Sequence, residues 1–384
     1  MSSSSSSSLP FITLNDGRSI PAIAYGLGTA NYGKPSSELV EMAINEAGYR
    51  HIDCAQMYEN SESVGQAWTS TGLKREELVL TTKLSGSDPR AGLEAELRLL
   101  RTNYVDLWLI HTPKVKIGYG KAWSLMEDVL KEGKTRSIGV SNYMIDEMTE
   151  MLETAKVTPA ANQIEFHPYC YPYLESLVRL CHERGITIEC YGPLSPITKG
   201  KGGPLDPVLQ KIAGQTGLNE GQVLLKWAKQ VSRGVIVTTS TKADRLKEHL
   251  AALQAPELTS EQVDEITQAG RTSPQRFFKG VLLQPEQKPA EKKSPSTKSK
   301  GLPLGSTLML VALFLLLLPL AMASPAMLFG RDGLGYADPA DNGGKLLTVS
   351  VSGAVSDSHG ADHIRHFHPS RSPKIPGLRV SVNP

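Results

Sequence analysis

Short apolar runs recur along the chain at AIAYGLGT (22–29), HIDCA (51–55), LVLTTKL (78–84), VDLWLIHT (105–112), RSIGVSN (136–142), ANQIEFH (161–167), ITIECYG (186–192) and GVIVTTS (234–240). They are too short and too continuously apolar for surface helices, and they read as buried strands. Between them lie segments of helical period, among them SSELVEMAINEAG (36–48), PRAGLEAELRLLRTN (89–103) and YLESLVRLCHERG (173–185), with Gly or Asn near their ends where left-handed caps are expected. Strands alternating with helices imply parallel βαβ units. Eight such units within residues 9–283 predict an α/β fold of the (β/α)8 TIM-barrel class, which typically needs ~250 residues. FITLNDGRSIP (11–21) predicts an N-terminal β-hairpin cap, because Asp16-Gly17 supplies turn chemistry between two strand-like runs. A doubly wound dinucleotide fold would open on G-x-G-x-x-G, and GLGT (26–29) is too short a match.

This alternation stops near residue 283, and composition divides the chain into five parts. Residues 1–8 form a Ser-rich tail expected to be disordered, 9–283 the barrel, 284–304 a linker rich in Pro, Ser and Lys, 305–329 an uncharged segment, and 330–384 a second tail expected to be disordered. The uncharged segment contains LMLVALFLLLLPLAMA (308–323), and with its neighbours it reaches the ~20 residues that cross a hydrocarbon core. Three readings stand side by side. It is a single-pass transmembrane helix with Lys292, Lys293, Lys298 and Lys300 on the cytosolic side, a signal-like segment ending at AMASPA (321–326), or the join of two unrelated coding segments. The balance of Lys+Arg 41 against Asp+Glu 39 argues against nucleic acid as partner. Four scattered cysteines with no C-x-x-C pair fit reduced thiols in a cytoplasmic catalytic domain. His359, His363, His366 and His368 in the tail lack zinc-site spacing, so no metal site is expected.

In a (β/α)8 barrel the functional residues sit at the C-terminal strand ends. The polar residues there are Asp53 after strand two, Tyr58 in its loop, Lys83 on strand three and His111 on strand four. Each alone has an ordinary explanation: a capping aspartate, a solvated lysine, a hydrogen-bonded core histidine. Together they suit carbonyl reduction, in which hydride addition builds negative charge on an oxygen that then needs a proton and hydrogen-bond donors. Tyr58 is the expected acid, with Lys83 lowering its pKa, Asp53 pairing with Lys83, and His111 orienting the carbonyl through an imidazole N–H. Trp108, Trp123 and Trp227 are expected in the core, and Cys54 on the opposite face of its strand from Asp53.

These residues sit inside an ordered set of motifs: DxAxxYxNxxxVG from Asp53 to Gly65, TTKL around Lys83, VDLWLIHTP (105–113), IGVSNY (138–143) and NQIEFHPY (162–169). On them the chain resembles the aldo-keto reductases, in their NADPH-dependent, fungal-like branch. The resemblance implies a barrel that binds NADPH without a Rossmann domain, a small carbonyl substrate, and Asp53, Tyr58, Lys83 and His111 as the catalytic tetrad. The sequence is silent on oligomeric state, and the barrel is expected to be a monomer. The resemblance further implies that Ser141, Asn142 and Gln163 hydrogen-bond the nicotinamide carboxamide and that Tyr191 stacks on the ring. Gly28, Thr29, Asp53, Gly192, Leu194, Thr239, Ser240 and Arg245 are the remaining implied cofactor contacts, and His111 and Tyr58 face the substrate. Two departures stand out. In VTTSTKADRLKEHL (237–250), Thr239 replaces the family's Lys and His249 its Asn, leaving Arg245, Ser240, Thr239 and Lys242 for a 2′-phosphate. Thr112, where many relatives carry an aromatic, implies a roomier and less aromatic pocket. The alternative function is a membrane-attached NADPH-binding sensor or adaptor with little catalysis.

Overall fold

The computed structural model describes residues 9–28 and 31–282. Thr29, the segment at 305–329 and the histidine-bearing tail lie outside the described residues. Two short strands come first, β1 (Phe11–Thr13) and β2 (Ser19–Pro21), paired antiparallel with Ile12 opposite Ile20. Gly17, at φ +83°, takes the left-handed position of the predicted turn.

Eight parallel strands then close a barrel: β3 (Ile23–Gly26), β4 (His51–Asp53), β5 (Val79–Leu84), β6 (Val105–Ile110), β7 (Thr135–Ser141), β8 (Ala161–Glu165), β9 (Thr187–Tyr191) and β10 (Val235–Thr238). They pair in chain order, and β10 returns to β3 with Ile236 opposite Ile23. Closure leaves no sheet edge, and helices cover the outside, so the strands are buried on both faces and read as continuous apolar runs.

Helices follow where the period placed them. Pro89–Leu99 is capped by Asp88, whose side chain accepts the backbone N–H of Arg90 and Ala91. Gly48 and Gly185 adopt the expected left-handed conformation, but after Pro89–Leu99 the left-handed residue is Arg101 rather than Asn103. The segment expected as one α-helix at 36–48 is α-helical over Ser37–Glu41 and continues as a π-helix over Met42–Glu46.

The core has two parts. A larger one fills the space between strands and helices and contains Trp108, Trp123 and Trp227, each buried. A smaller one lies inside the barrel, where Leu14 and Ile20 of the hairpin meet Leu107, Leu109, Val235 and Val237. The hairpin is fastened there: Asn15 Nδ2 donates to the carbonyl of Pro159 at 2.8 Å and Arg18 Nε to that of Arg136 at 3.0 Å. Those carbonyls lie at the N-terminal ends of β8 and β7. The hairpin therefore plugs one end of the barrel and leaves the C-terminal end open.

Candidate active site

Inside the barrel the period of two alternates residues inward and outward. His51 and Asp53 of β4, Thr81 and Lys83 of β5, Gln163 of β8 and Glu189 of β9 form a buried polar side facing the apolar residues of β6 and β10. Cys54 joins the outer core, on the opposite face from Asp53, as expected.

Lys83 is fully buried, and its ammonium is saturated with acceptors. Nζ donates to both carboxylate oxygens of Asp53 at 2.8 Å and to the carbonyl of Cys54 at 2.9 Å, and it lies 3.3 Å from the Tyr58 hydroxyl. A buried cation is tolerable only with this degree of pairing. Tyr58 ends a 3-10 turn, Gln56–Tyr58, directly after β4. Its ring stands edge-on to that of His111, with centroids 5.5 Å apart. Gly28 makes room for it, since a Cβ there would lie 3.0 Å from the phenol carbon. Asn60 holds the neighbouring loop by donating to the carbonyls of Leu27 and Asn31. The motif around Tyr58 thus encodes both the acid and the loop that shelters it.

The electrostatics differ from expectation at one point. Burial raises the pKa of Tyr58 above that of an ordinary phenol, and Lys83 opposes this without reversing it, so the expected lowering is corrected to a net rise. Burial works hardest against the Lys83 charge, yet Asp53 and Tyr58 together hold its pKa above the usual lysine value. Burial first, and the Lys83 charge second, push the pKa of His111 down to about 3. Its imidazole is neutral at physiological pH, and its Nδ1 has no hydrogen-bond partner among the described residues.

Asp53, Tyr58 and His111 open onto a cavity of ≈ 330 Å³, and Lys83 lies outside its lining. The cavity is lined by Gly28, Asp53, Tyr58, His111, Ser141, Asn142, Gln163, Tyr191, Gly192, Leu194 and Thr239, so the strand ends converge as predicted. Ser240, Arg245 and Thr112 are not among the lining residues. Ser240 is buried, its Oγ accepting the backbone N–H of Lys242, and Arg245 is exposed on the following helix. Sequence reasoning missed Met57, Ser195, Thr198, Lys199, Phe278 and Val281. Thr112 was expected to make the pocket less aromatic, but Phe278 enters from the C-terminal segment and meets Tyr191 edge-on with centroids 5.4 Å apart. Lys199 covers the other side of Phe278, its Nζ 3.7 Å from the ring centroid. Nothing local to RFFKG marks Phe278 as a wall, because long-range packing brings it there.

Several polar groups of the wall are engaged with one another. Asn142, at φ +62°, donates to the carbonyl of His111 at 3.0 Å and accepts the Tyr191 hydroxyl at 2.7 Å. Ser141 Oγ donates to the carbonyl of Gln163 at 2.8 Å. The hydroxyl of Tyr191 is thereby held, and its ring lines the cavity as a flat aromatic surface. Gly192 sits at φ +67°, and a Cβ there would lie 2.8 Å from Phe278. A flat aromatic wall, glycines at close approaches and polar side chains at the rim suit a planar heteroaromatic ring carrying an amide, which is the reactive part of a nicotinamide cofactor. Among the described residues no cluster of His, Cys, Asp or Glu could hold a metal ion, and no helix is long and apolar enough to cross a membrane.

Known proteins resemble this chain in sequence and fold. A sequence profile described as the Aldo/keto reductase family matches residues 24–271. The chain is 38% identical over 276 residues to an NAD/NADP-dependent indole-3-acetaldehyde reductase of Schizosaccharomyces pombe, a match spanning 68% of this chain and 96% of that protein. It is 35% identical over 285 residues to an NADPH-dependent alpha-keto amide reductase of Saccharomyces cerevisiae, spanning 68% and 90%. Among solved structures, a Bombyx mori aldo-keto reductase in complex with NADP superposes with a TM-score of 0.62 at 33% identity, covering 68% of this chain and 92% of that one.

Proposed function

Because the chain belongs to the aldo/keto reductase family, we propose that it is an NADPH-dependent carbonyl reductase in which Tyr58 delivers the proton to the carbonyl oxygen of a small aldehyde or ketone. It is an oxidoreductase, and its cofactor is NADPH, in keeping with its relatives. The bound nicotinamide supplies the hydride. The residues of the chain do the rest.

Neutral His111 holds the carbonyl through an imidazole N–H, a donor that adds no second positive charge beside Lys83. As negative charge grows on the oxygen, the Tyr58 hydroxyl gives up its proton, and the Lys83 ammonium, 3.3 Å away, stabilises the phenolate left behind. Asp53 keeps that ammonium in position at 2.8 Å and compensates its burial. The observation that carries this reading is the unbroken contact chain Asp53–Lys83–Tyr58 ending at a cavity that His111 also lines. Gly28, Ser141, Asn142, Gln163, Tyr191, Gly192, Leu194 and Thr239 are the cofactor contacts within the cavity. Ser240 and Arg245 lie beyond it, where they take the 2′-phosphate. The barrel acts as a monomer, and the uncharged segment at 305–329 anchors it to a membrane from the cytosolic side.

The test is Tyr58→Phe. It keeps the ring against His111 and removes the proton, so kcat for carbonyl reduction should fall at least ~10²-fold while NADPH affinity stays near that of the unaltered protein. A variant keeping more than half its kcat would exclude Tyr58 as the acid.

A further inference from the structure

Glu189 is a buried carboxylate with no part in the proton chemistry above. It projects from β9 into the barrel, fully buried, on the side of Asp53 and Lys83. Between the two acids lies Gln163, whose Nε2 donates to Asp53 Oδ1 at 2.7 Å and to Glu189 Oε2 at 2.8 Å. An amide nitrogen has two hydrogens, and here both are taken. Asp53 Oδ1 already accepts from Lys83, so turning the amide over would set its carbonyl oxygen against that acceptor and, once Glu189 is ionised, against a second one in a region of low dielectric.

We propose that Glu189 is a positioning residue which, together with Asp53, locks the Gln163 amide so that its carbonyl Oε1, and not its NH2, is offered to the cofactor carboxamide lining the same cavity. This rests on the reading of Gln163 as a carboxamide contact. The lock gives the amide one polarity: Oε1 accepts from the carboxamide NH2, and the nicotinamide ring is held with one face toward the substrate. Asp53 alone would not suffice, because a single carboxylate uses one of the two amide hydrogens and leaves the other seeking a buried partner. The arrangement also explains a buried carboxyl group that otherwise only destabilises the barrel where it ionises. Glu189 Oε1 has no partner among the described residues, and burial followed by the Asp53 charge raises its pKa to about 7.

The experiment compares two substitutions against two cofactors by direct binding. Glu189→Leu removes the acceptor and keeps the volume, whereas Glu189→Gln keeps an acceptor oxygen. NADPH carries the carboxamide NH2, and its 3-acetylpyridine analogue keeps the carbonyl but lacks the NH2. Glu189→Leu should weaken NADPH about three- to tenfold, the scale of one neutral hydrogen bond, and weaken the analogue far less. Glu189→Gln should restore NADPH affinity, and hydride transfer from stereospecifically deuterated NADPH should lose facial selectivity only in Glu189→Leu. Equal losses for both cofactors, or no loss in Glu189→Leu, would overturn the proposal and reduce Glu189 to packing. Gln163→Leu is the control: if it too fails to distinguish the cofactors, the carboxamide contact of Gln163 is wrong and the proposal falls with it.

Discussion

Two buried ionisable groups inside the same barrel behave in opposite ways, and the difference is a matter of partners. Lys83 donates hydrogen bonds to the Asp53 carboxylate and the Cys54 carbonyl and keeps its charge despite complete burial. Glu189 receives one hydrogen bond, from Gln163, and faces the Asp53 charge, so its neutral form is favoured up to about pH 7. Against an ordinary carboxyl value of 4.5, this has a definite sign for stability. Between pH 4.5 and about 7 the folded state holds a proton that the unfolded chain has lost, so this group's contribution falls as pH rises through that window. Removing the charge should therefore help most at high pH. Glu189→Gln is expected to raise unfolding free energy at pH 8 by up to about 3 kcal/mol and to lose that advantage below pH ~4.5, as urea titrations at several pH values would reveal. A gain that does not vary with pH would mean that Glu189 is not the titrating group.

At the scale of elements, the C-terminal segment after the last helix is tied to the barrel at several points, among them the backbone N–H of Gln275 to the carbonyl of Tyr169 at 3.0 Å, and Glu165 of β8 makes the buried ones. Glu165 Oε1 accepts the backbone N–H of Phe277 at 2.6 Å and contacts His167 Nε2 at 2.9 Å, while Oε2 lies 3.8 Å from Arg276. All three side chains are almost wholly buried. The latch sets Phe278 beside Tyr191 at the cavity wall. Glu165→Ala should release the segment, at a cost of ~2 kcal/mol for the lost charge-assisted bonds. The expected signature is faster amide exchange over residues 276–281 and a raised KM for the carbonyl, with NADPH affinity less affected. Unchanged exchange in that segment would show that Glu165 is not its latch and that its other contacts suffice.

The whole molecule brings together residues from distant parts of the chain by closing a sheet on itself. Both parts of the core and the network from Asp53 to Glu189 lie within residues 9–282. A fragment of residues 1–283 should thus unfold cooperatively and match the kcat of the full chain. The full chain carries the anchor proposed above, so with an N-terminal tag it should sediment with membranes and resist carbonate, and full recovery in the soluble fraction would exclude anchoring.

Asp53, Tyr58, Lys83 and His111 were legible because strand period and the rule of C-terminal strand ends depend on local spacing alone, and so were the hairpin and the order of the eight strands. Phe278, the Glu165 latch and the Gln163 amide held between Asp53 and Glu189 were not, since each joins positions far apart in the chain and no local pattern records which inward residues meet across a barrel. The sign of the Tyr58 shift belongs with these. Sequence named the neighbouring charge, but only the folded barrel decided how much water both groups lose, and desolvation outweighs a single favourable charge.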